Sequence, residues 1–393
     1  MTTISENQLP LAGVRVVEFC QVAAGPFCGM LLADMGAEVV KVEHPSGGDS
    51  LRAWPPITDG FSENFASLNR NKRSAALDLK SSSDRATAIA LCAEADIVIE
   101  NNRPGAMGRN GLGYEDIKAI NPRVVYCSIS GFGQVGPRSQ EGGFDVTIQA
   151  VGGVMSVTGE PDGAPVKCGV PISDFSTGLY AAFSIVSALR KAEESGMGAH
   201  IDISLLGATL AVAALQTSEF FGTNRAPKKL GSAHPRNAPY QAFRAADDYF
   251  VMAAGNDKLW ASVCDVVERP GLKSDPRYVT TSLRANNQVA LKDELEALFA
   301  LKSAAEWLEL FRKAGVPCAP INDYDSALSD PQVEAMGWVQ EMEMPSGNPI
   351  RTFASPVLMN GSNLPVRRRP PALGEHTTEI KDAILESRRS VSG

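Results

Sequence analysis

The sequence holds no CxxC pair and no Cys/His arrangement with the ligand spacing of a zinc site. Its seven cysteines (Cys20, Cys28, Cys92, Cys127, Cys168, Cys264 and Cys318) stand singly. Most have apolar neighbours, as Cys127 has in Val125–Ile129, so they read as buried reduced thiols, and no metal is expected. An excess of positive charge is also missing. Lys and Arg number 37 against 45 Asp and Glu, a net charge of -8, which argues against nucleic acid as the main partner but leaves room for a local basic pocket facing one phosphorylated ligand. The longest apolar stretches, around 179–189 and 205–215, fall short of the roughly 20 residues that span a bilayer. The opening MTTISENQLP lacks the basic and apolar regions of a signal peptide, so a cytoplasmic protein with no membrane partner is expected. No Walker pattern or HExxH occurs. The first strand-to-helix turn, 20–26, carries one glycine, Gly25, and lacks the spacing that brings backbone up to a pyrophosphate. The glycines of 108–113 precede no strand-to-helix crossover of that kind. Dinucleotide redox chemistry is set aside on these grounds.

What is present is a globular composition, 44% apolar and 21% charged over 393 residues, a length that implies two domains. In the first half, strand signals at 14–19, 38–43, 75–79, 96–100 and 124–129 alternate with helix signals at 27–35, 83–95 and 114–120. Such alternation predicts an α/β domain built on a parallel sheet covered on both faces. An extended run over 166–172 leads into helices expected over 176–194 and 203–221. The polar, turn-rich stretch 224–231 reads as a linker. Beyond Tyr240 come short strands at 241–243 and 249–254 and helices at 257–267, 286–300 and 303–314, a smaller α+β unit. The tail from Ile350 adds strand-like pieces and a run, Arg367 to Arg369, expected to face solvent.

Two features carry chemistry. Lys41, Lys72, Arg73, Arg103 and Arg109 fall near strand ends of the first domain, where an α/β sheet receives ligands, and converge on phosphates unless they are ordinary solvated charges. Asp174 stands where an apolar run gives way to a helix. Asp is a favoured helix N-cap, and a carboxylate stabilised at a helix N-terminus is equally placed to attack a thioester; spacing does not separate the two readings.

Longer segments do more. Pro10–Phe19, Ala24–Pro26, Leu32–Pro45, Asn69–Ser74, Ala95–Asn101, Arg103–Gly105, Ser128–Gly133, Gly143–Asp145 and Asp174 closely resemble the family III CoA-transferases, the superfamily of formyl-CoA and carnitine-CoA transferases. So do Ala238–Tyr240, Ala314–Pro320 and Leu373–His376, in the family's order over nearly the whole chain. The resemblance implies that Asp174 attacks an acyl-CoA, forming an aspartyl anhydride and then an aspartyl-CoA thioester from which an acceptor carboxylate takes the CoA. It implies that Val22, Ala23, His44, Leu68, Lys72, Asn101, Ala106 and Arg109 line the coenzyme A site. Two positions depart from the pattern: His44 stands where formyl-CoA transferases carry arginine, and Asn102 replaces a common aromatic.

The implied fold is a Rossmann-like large domain over 1–223 completed by a return segment, 331–393, with the small domain at 224–330, in an interlocked homodimer. Acyl-CoA racemases share this superfamily and use a histidine beside the aspartate; here Phe144 holds that position and cannot accept a proton. A racemase or a noncatalytic acyl-CoA-binding protein remains the alternative. The site-covering loop has no glycine run. Its counterpart, 231–240, resembles the branch that uses succinyl-CoA with itaconate, mesaconate, malate or glutarate. There Arg236 would hold a distal carboxylate and His234 would assist, unless both serve only to hydrogen-bond a linker.

Overall fold

The computed structural model describes residues 4–392, with side chains through 386; residues 1–3 and 393, the outer limits of the expected domains, lie outside it. The chain divides into two compact units. The first holds residues up to 154, 167–223 and 331 onward, and the second holds 155–166 and 224–330. Residues 155–166, expected in the first unit, belong to the second because they are fastened to the stretch 224–231 that reads as the linker. Lys229 Nζ donates to the carbonyls of Gly163 and Ala164 at 2.9 Å, and the Gly231 N–H donates to the Gly159 carbonyl at 3.0 Å.

In the first unit six strands form one sheet: β1 (Arg15–Phe19), β2 (Glu38–Glu43), β3 (Lys72–Ala76), β4 (Ile97–Glu100), β5 (Val125–Ser130) and β6 (Ala199–Ser204). All pair in parallel, in the order β3-β2-β1-β4-β5-β6. The β-branched runs suit strands buried on both faces. Val16, Ile97, Ile99 and Val125 point into one layer, and Val17, Val40, Val98 and Tyr126 into the other. The helices that concern the site are α1 (Ala24–Asp34), α2 (Ser82–Glu94), α3 (Asp145–Val151), α4 (Ile172–Ser195), α5 (Leu205–Val212) and α6 (Ala214–Thr223). Helices α1 and α4 cover one face, with Cys28, Leu32, Ala181, Ile185 and Leu189 in the core. Helix α2 and the C-terminal helix Thr377–Ser392, through Ile380 and Ile384, cover the other.

Several expectations shift. Strand β3 begins three residues earlier than the expected 75–79. The run 166–172 forms no strand, and α4 starts at Ile172, four residues before the expected 176. The stretch read as one helix over 203–221 is the end of β6 followed by α5 and α6; Ala199–Ser204 pairs with β5 because its main chain continues the parallel ladder. Helix α4, with 24 residues, is long and apolar enough to cross a membrane, contrary to the reading of its apolar run as too short, yet one of its faces packs in the core. Arg367 is not simply solvated: its Nη2 donates to the carbonyls of Ala33 (2.6 Å) and Ala37 (3.2 Å), and Arg369 forks onto Glu375.

A buried charge cluster lies beneath the carboxyl ends of β1–β3. Glu18 takes Lys41 Nζ at 2.9 Å on one oxygen and Lys72 Nζ at 2.8 Å on the other, and all three side chains are fully buried. The lysines continue upward, Lys41 to the Cys20 carbonyl (2.7 Å) and Lys72 to the Pro26 carbonyl (2.8 Å).

The second unit is a three-stranded antiparallel sheet (Tyr240–Arg244, Tyr249–Ala253, Cys318–Pro320) packed on helices Asp257–Val266, Gln288–Phe299 and Ala304–Lys313. Its core is an aromatic cluster in which Phe299 meets Phe250 edge-on at 5.1 Å and Trp307 at 5.2 Å.

Gly29 on α1 presses directly onto the charge cluster: a methyl group there would stand 1.9 Å from Glu18 Oε2. Gly→Ala inside a helix ordinarily stabilises by up to about 1 kcal/mol. Here Gly29→Ala is expected to destabilise by about 1–3 kcal/mol instead, read as a lowered denaturant midpoint at unchanged slope. A midpoint that rises would show that Glu18 is free to move aside.

Candidate active site

The carboxyl ends of β1–β4 open on a cleft of about 250 Å³, where an open α/β sheet binds ligands because the strand order reverses beside β1. Two expected residues, His44 and Ala106, line it. Val22, Ala23 and Asn101 build the turn bordering it. Asn101 bonds both backbone groups of Gln21, accepting its N–H at 2.9 Å and donating to its carbonyl at 2.8 Å. The Val22 N–H donates to Asp49 Oδ1 at 3.0 Å, with Val22 held at φ +66°. A β-branched residue in that region costs roughly 1–3 kcal/mol, so the turn persists only because its surroundings over-determine it. Arg109 is exposed on the short turn Gly108–Asn110.

Two expected residues lie elsewhere. Lys72 is enclosed under α1 on Glu18, Asn69 and the Pro26 carbonyl, and Leu68 is half-buried on the helix Glu63–Asn69, outside the cleft lining. Both were expected from the family resemblance rather than from the strand boundaries. Because the strand ends at Ala76, it is Leu77, Asp78, Leu79 and Lys80 that emerge at its carboxyl end into the cleft. The signal for them was local: Lys80 is the first basic residue after this strand, just before the serine-rich start of α2. His44 is held by the Ser46 N–H on Nδ1 at 3.0 Å, with Nε2 3.8 Å from Asp78. Asn102, also in the lining, donates to the Phe19 carbonyl at 3.1 Å.

Asp174 sits in the first turn of α4. The capping position is Pro171, so Asp174 is not the N-cap. Its helix is pressed onto the start of α1: a Cβ on Gly178 would meet the Ala24 carbonyl and the Phe27 ring at 2.8 Å, and only glycine permits the approach. The Phe175 and Phe27 rings are 4.8 Å apart. Asp174 thereby shares the end of α1 that follows directly on the Val22 turn. Burial, and after it the negative charge of Asp145, pushes the Asp174 carboxyl up to about 7. Asp145 opens α3, just after the exposed Phe144, and accepts the Ser173 N–H at 3.0 Å and Gln149 Nε2 at 2.7 Å. The arrangement is a half-buried carboxyl poised between its acid and nucleophilic forms near neutral pH.

In the second unit, His234 Nδ1 accepts the backbone N–H groups of Arg236 (3.1 Å) and Asn237 (3.0 Å), which leaves Nε2 outward. Burial, then Arg236, lowers its pKa. Arg236 is exposed. Fully buried Arg284 pins this loop by donating to the Ala238 carbonyl at 2.9 Å.

A doubly wound sheet with its cleft at the strand-order reversal, joined to a carboxyl on an adjoining helix, defines an α/β protein suited to a phosphorylated ligand and carboxyl chemistry. The description "CoA-transferase family III" matches residues 11–377, and the chain belongs to that family, an enzyme family of CoA-transferases. Among its relatives, the succinyl-CoA:glutarate CoA-transferase of Homo sapiens is 40% identical over 96% of this chain and 87% of that protein. The succinate–glutarate CoA-transferase of Agrobacterium fabrum is 38% identical over 97% of both chains. The crystal structure of a CaiB/BaiF family protein from Brucella suis superposes with a TM-score of 0.84 at 38% identity, over 95% of this chain and 99% of that one.

The raised Asp174 pKa has a stability consequence. Between the ordinary carboxyl range and about 7 the folded protein binds a proton that the unfolded chain has released, so this group makes stability fall as pH rises. Asp174→Asn removes that dependence. Its melting temperature is expected to exceed wild type at pH 8 by a few degrees, roughly 1–2 kcal/mol, and the gap to close towards pH 4. A gap of the opposite sign at pH 8 would mean that the helix N-terminus stabilises the anion more than burial opposes it.

Proposed function

We propose that this chain transfers coenzyme A from succinyl-CoA to a short dicarboxylate, of the glutarate, mesaconate, itaconate or malate type, through a covalent intermediate on Asp174. The observation that carries the reading is the Asp174 carboxyl, half-buried at the start of α4 against the end of α1 that borders the cleft. The names of the relatives support the substrate class.

In its ionised form Asp174 attacks the thioester carbonyl, and the C–S bond breaks to release CoA thiolate and leave a mixed anhydride. The thiolate attacks the Asp174 carbonyl of that anhydride, releasing succinate and forming an aspartyl-CoA thioester. The acceptor carboxylate attacks this thioester and expels the thiolate, which then takes the acceptor's acyl carbon and returns Asp174 as a free carboxylate. Every bond broken is replaced by one of similar energy, and no water is consumed. His44, Lys80, Asn101, Ala106 and Arg109 are proposed to meet the CoA, with the Val22–Ala23 turn against it. The cations suit its phosphates. Phe144 supplies no base for the racemase alternative.

A Rossmann-like, cytoplasmic homodimer is part of the proposal. Support for the dimer is an apolar strip on α4 and α6, where Phe183 is 72% and Phe221 81% exposed, which a second copy would cover.

Asp174→Ala is expected to lower transfer by at least about a thousandfold, roughly 4 kcal/mol in the barrier, while circular dichroism and assembly stay unchanged. Wild type incubated with succinyl-CoA should show the Asp174 peptide with CoA attached. A folded alanine variant with near-normal turnover would refute the mechanism.

Arg236 is proposed to read the acceptor's second carboxylate, since a guanidinium keeps its charge and its fork matches a carboxylate. A monocarboxylate acceptor would forgo this charge-assisted contact, costing about 1–3 kcal/mol. Arg236→Gln is therefore expected to reduce the preference for dicarboxylates over equal-length monocarboxylates about tenfold to a hundredfold in kcat/KM, while KM for succinyl-CoA holds. No dicarboxylate preference in wild type would overturn the substrate class; a preference that survives Arg236→Gln would overturn only the residue.

A further inference from the structure

Behind Asp174 runs a polar chain that neither the cleft nor the chemistry above uses. The Gln149 side chain is fully buried on α3. Its Oε1 accepts the Cys168 N–H at 2.8 Å, and its Nε2 donates to Asp145 Oδ2 at 2.7 Å. The direction of the amide is forced by its partners: a backbone N–H needs the oxygen, and a carboxylate needs the NH₂. Asp145 passes the chain on, its Oδ1 accepting the N–H of Ser173, the residue before Asp174. The Ser173 hydroxyl, also fully buried, accepts from Thr209 Oγ1 on α5 at 2.9 Å. One carboxamide thus holds both the loop that enters the catalytic helix and the carboxylate beside the nucleophile.

We propose that Gln149 is a positioning residue for the transfer reaction: it fixes Asp145 so that the neighbouring charge governs when Asp174 becomes a nucleophile. This rests on the reading of Asp174 given above. A buried leucine or methionine of like volume would fill the space and suit an apolar core better, since a buried amide carries a desolvation cost unless both of its ends are paired. Here both are paired, and both pairings lead to the first turn of α4.

The charged and titratable groups around that turn are few. Helix α3 brings Asp145, and α1 brings the uncharged Phe27 ring and the backbone of Cys28 near Gly178. The entering loop brings Cys168 and Lys167, the latter turned onto the carbonyls of Cys168 (3.2 Å) and Gly169 (3.4 Å). Helix α5 has no ionisable residue. The charge that acts on Asp174 is accordingly that of Asp145, and Gln149 is the side chain that holds it.

The test compares wild type, Gln149→Met, Gln149→Glu and Asp174→Ala in the full chain, with succinyl-CoA and glutarate as probes, over pH 5.5–9 (roughly the range about the Asp174 pKa). Met keeps the volume and loses both hydrogen bonds. Glu keeps the acceptor for the Cys168 N–H but faces Asp145 with a second carboxyl, which donates only while protonated. In Gln149→Met, kcat is expected to fall about tenfold to a hundredfold, KM for succinyl-CoA to stay within about twofold, and the acid limb of the pH–rate profile to move to lower pH as Asp145 swings away. Gln149→Glu, protonated at low pH, should there match wild type in both rate and acid limb, whereas Met keeps a displaced limb throughout. A role confined to holding the fold would lower stability and leave the limb where it is, and that outcome overturns the proposal. If the Met variant does not fold, the Glu variant decides alone: a profile parallel to wild type overturns the proposal, and recovery at low pH supports it. Turnover by Asp174→Ala would overturn the Asp174 reading and this inference together, whereas an inactive Asp174→Ala with an unaltered Gln149→Met profile overturns this inference only.

Discussion

Glu18, closed between two lysines with no solvent to share, is the constraint on which the first unit rests. Three strands and one helix meet there, because Lys41 comes from β2, Lys72 from β3, and both reach past Glu18 on β1 to carbonyls at the entry of α1. The lysines differ in company. Burial lowers both, but Lys41 also faces Asp49 and Glu43 and is raised overall, whereas Lys72 has Glu18 beside the repelling Lys41 and is lowered. A buried triad of this kind adds little net stability over an apolar core, yet losing one member strands a charge at a cost of about 3–5 kcal/mol. Its effect is to specify geometry. Held from below at Cys20 and Pro26 and from the sides by Asp49 and Asn101, the turn between them keeps Val22 in a backbone region that valine does not choose. Helix α1 leaves that turn in one direction only, and α4 packs on α1 through Gly178. The position of the Asp174 carboxyl is therefore set, two contacts away, by the buried charges of Glu18, Lys41 and Lys72.

The legible part of this structure was the part written in short-range pattern. The β-branched runs of β1, β2, β4 and β5 and the turn chemistry between them announce a parallel sheet, and Asp174 was singled out through its motif. What was not legible depended on which end of a pattern the tertiary structure uses. In Lys72–Ala76 the alternation is broken by charge, since Lys72 is there for Glu18 and Arg73 for Glu379, so the apolar residues 75–79 look the better strand. Leu68 and Lys72 were expected from the family resemblance, whereas the cleft lining holds Leu77 and Lys80. Strand β6 shows the converse. Its residues, Ala-His-Ile-Asp-Ile-Ser, alternate as a half-exposed edge does, and its last two were merged into the apolar helices that follow while the first four were assigned to no element. The attachment of 155–166 to the second unit rests on Lys229 reaching two carbonyls some 65 residues away, which no local pattern records.

A sheet of this order is commonly a place for dinucleotides, and the difference here lies in how the first turn binds. A glycine fingerprint brings bare backbone onto a pyrophosphate. In this chain the turn is instead filled by side chains, Cys20 beneath Gly25 and Asn101 across Gln21, so its backbone groups are already used. Affinity for a phosphorylated ligand must come from side chains on other loops, and such side chains stand there: His44 after β2, Lys80 after β3, Arg109 beyond β4. On the proposed reading the ligand would be met along a line of strand ends rather than at one helix terminus, which suits a long, flexible molecule whose reactive end lies far from its phosphates.

The proposed chemistry sits at odds with stability. A carboxyl pushed to about 7 is a destabilising feature at neutral pH, and two things raise it there, burial first and then a second carboxylate in Asp145. Yet for an acyl exchange between carboxylates and a thiol, a nucleophile whose basicity lies close to ambient pH leaves as readily as it attacks, and each intermediate stays within reach of the next. On the proposed mechanism, an ordinary, well-solvated aspartate would be a weaker nucleophile and would bring more water to the anhydride than a half-buried one does. Stability given up at Asp174 and rigidity gained at Glu18 are therefore parts of one arrangement, since a buried, repelled carboxyl keeps its place only on a helix that has no freedom to move away.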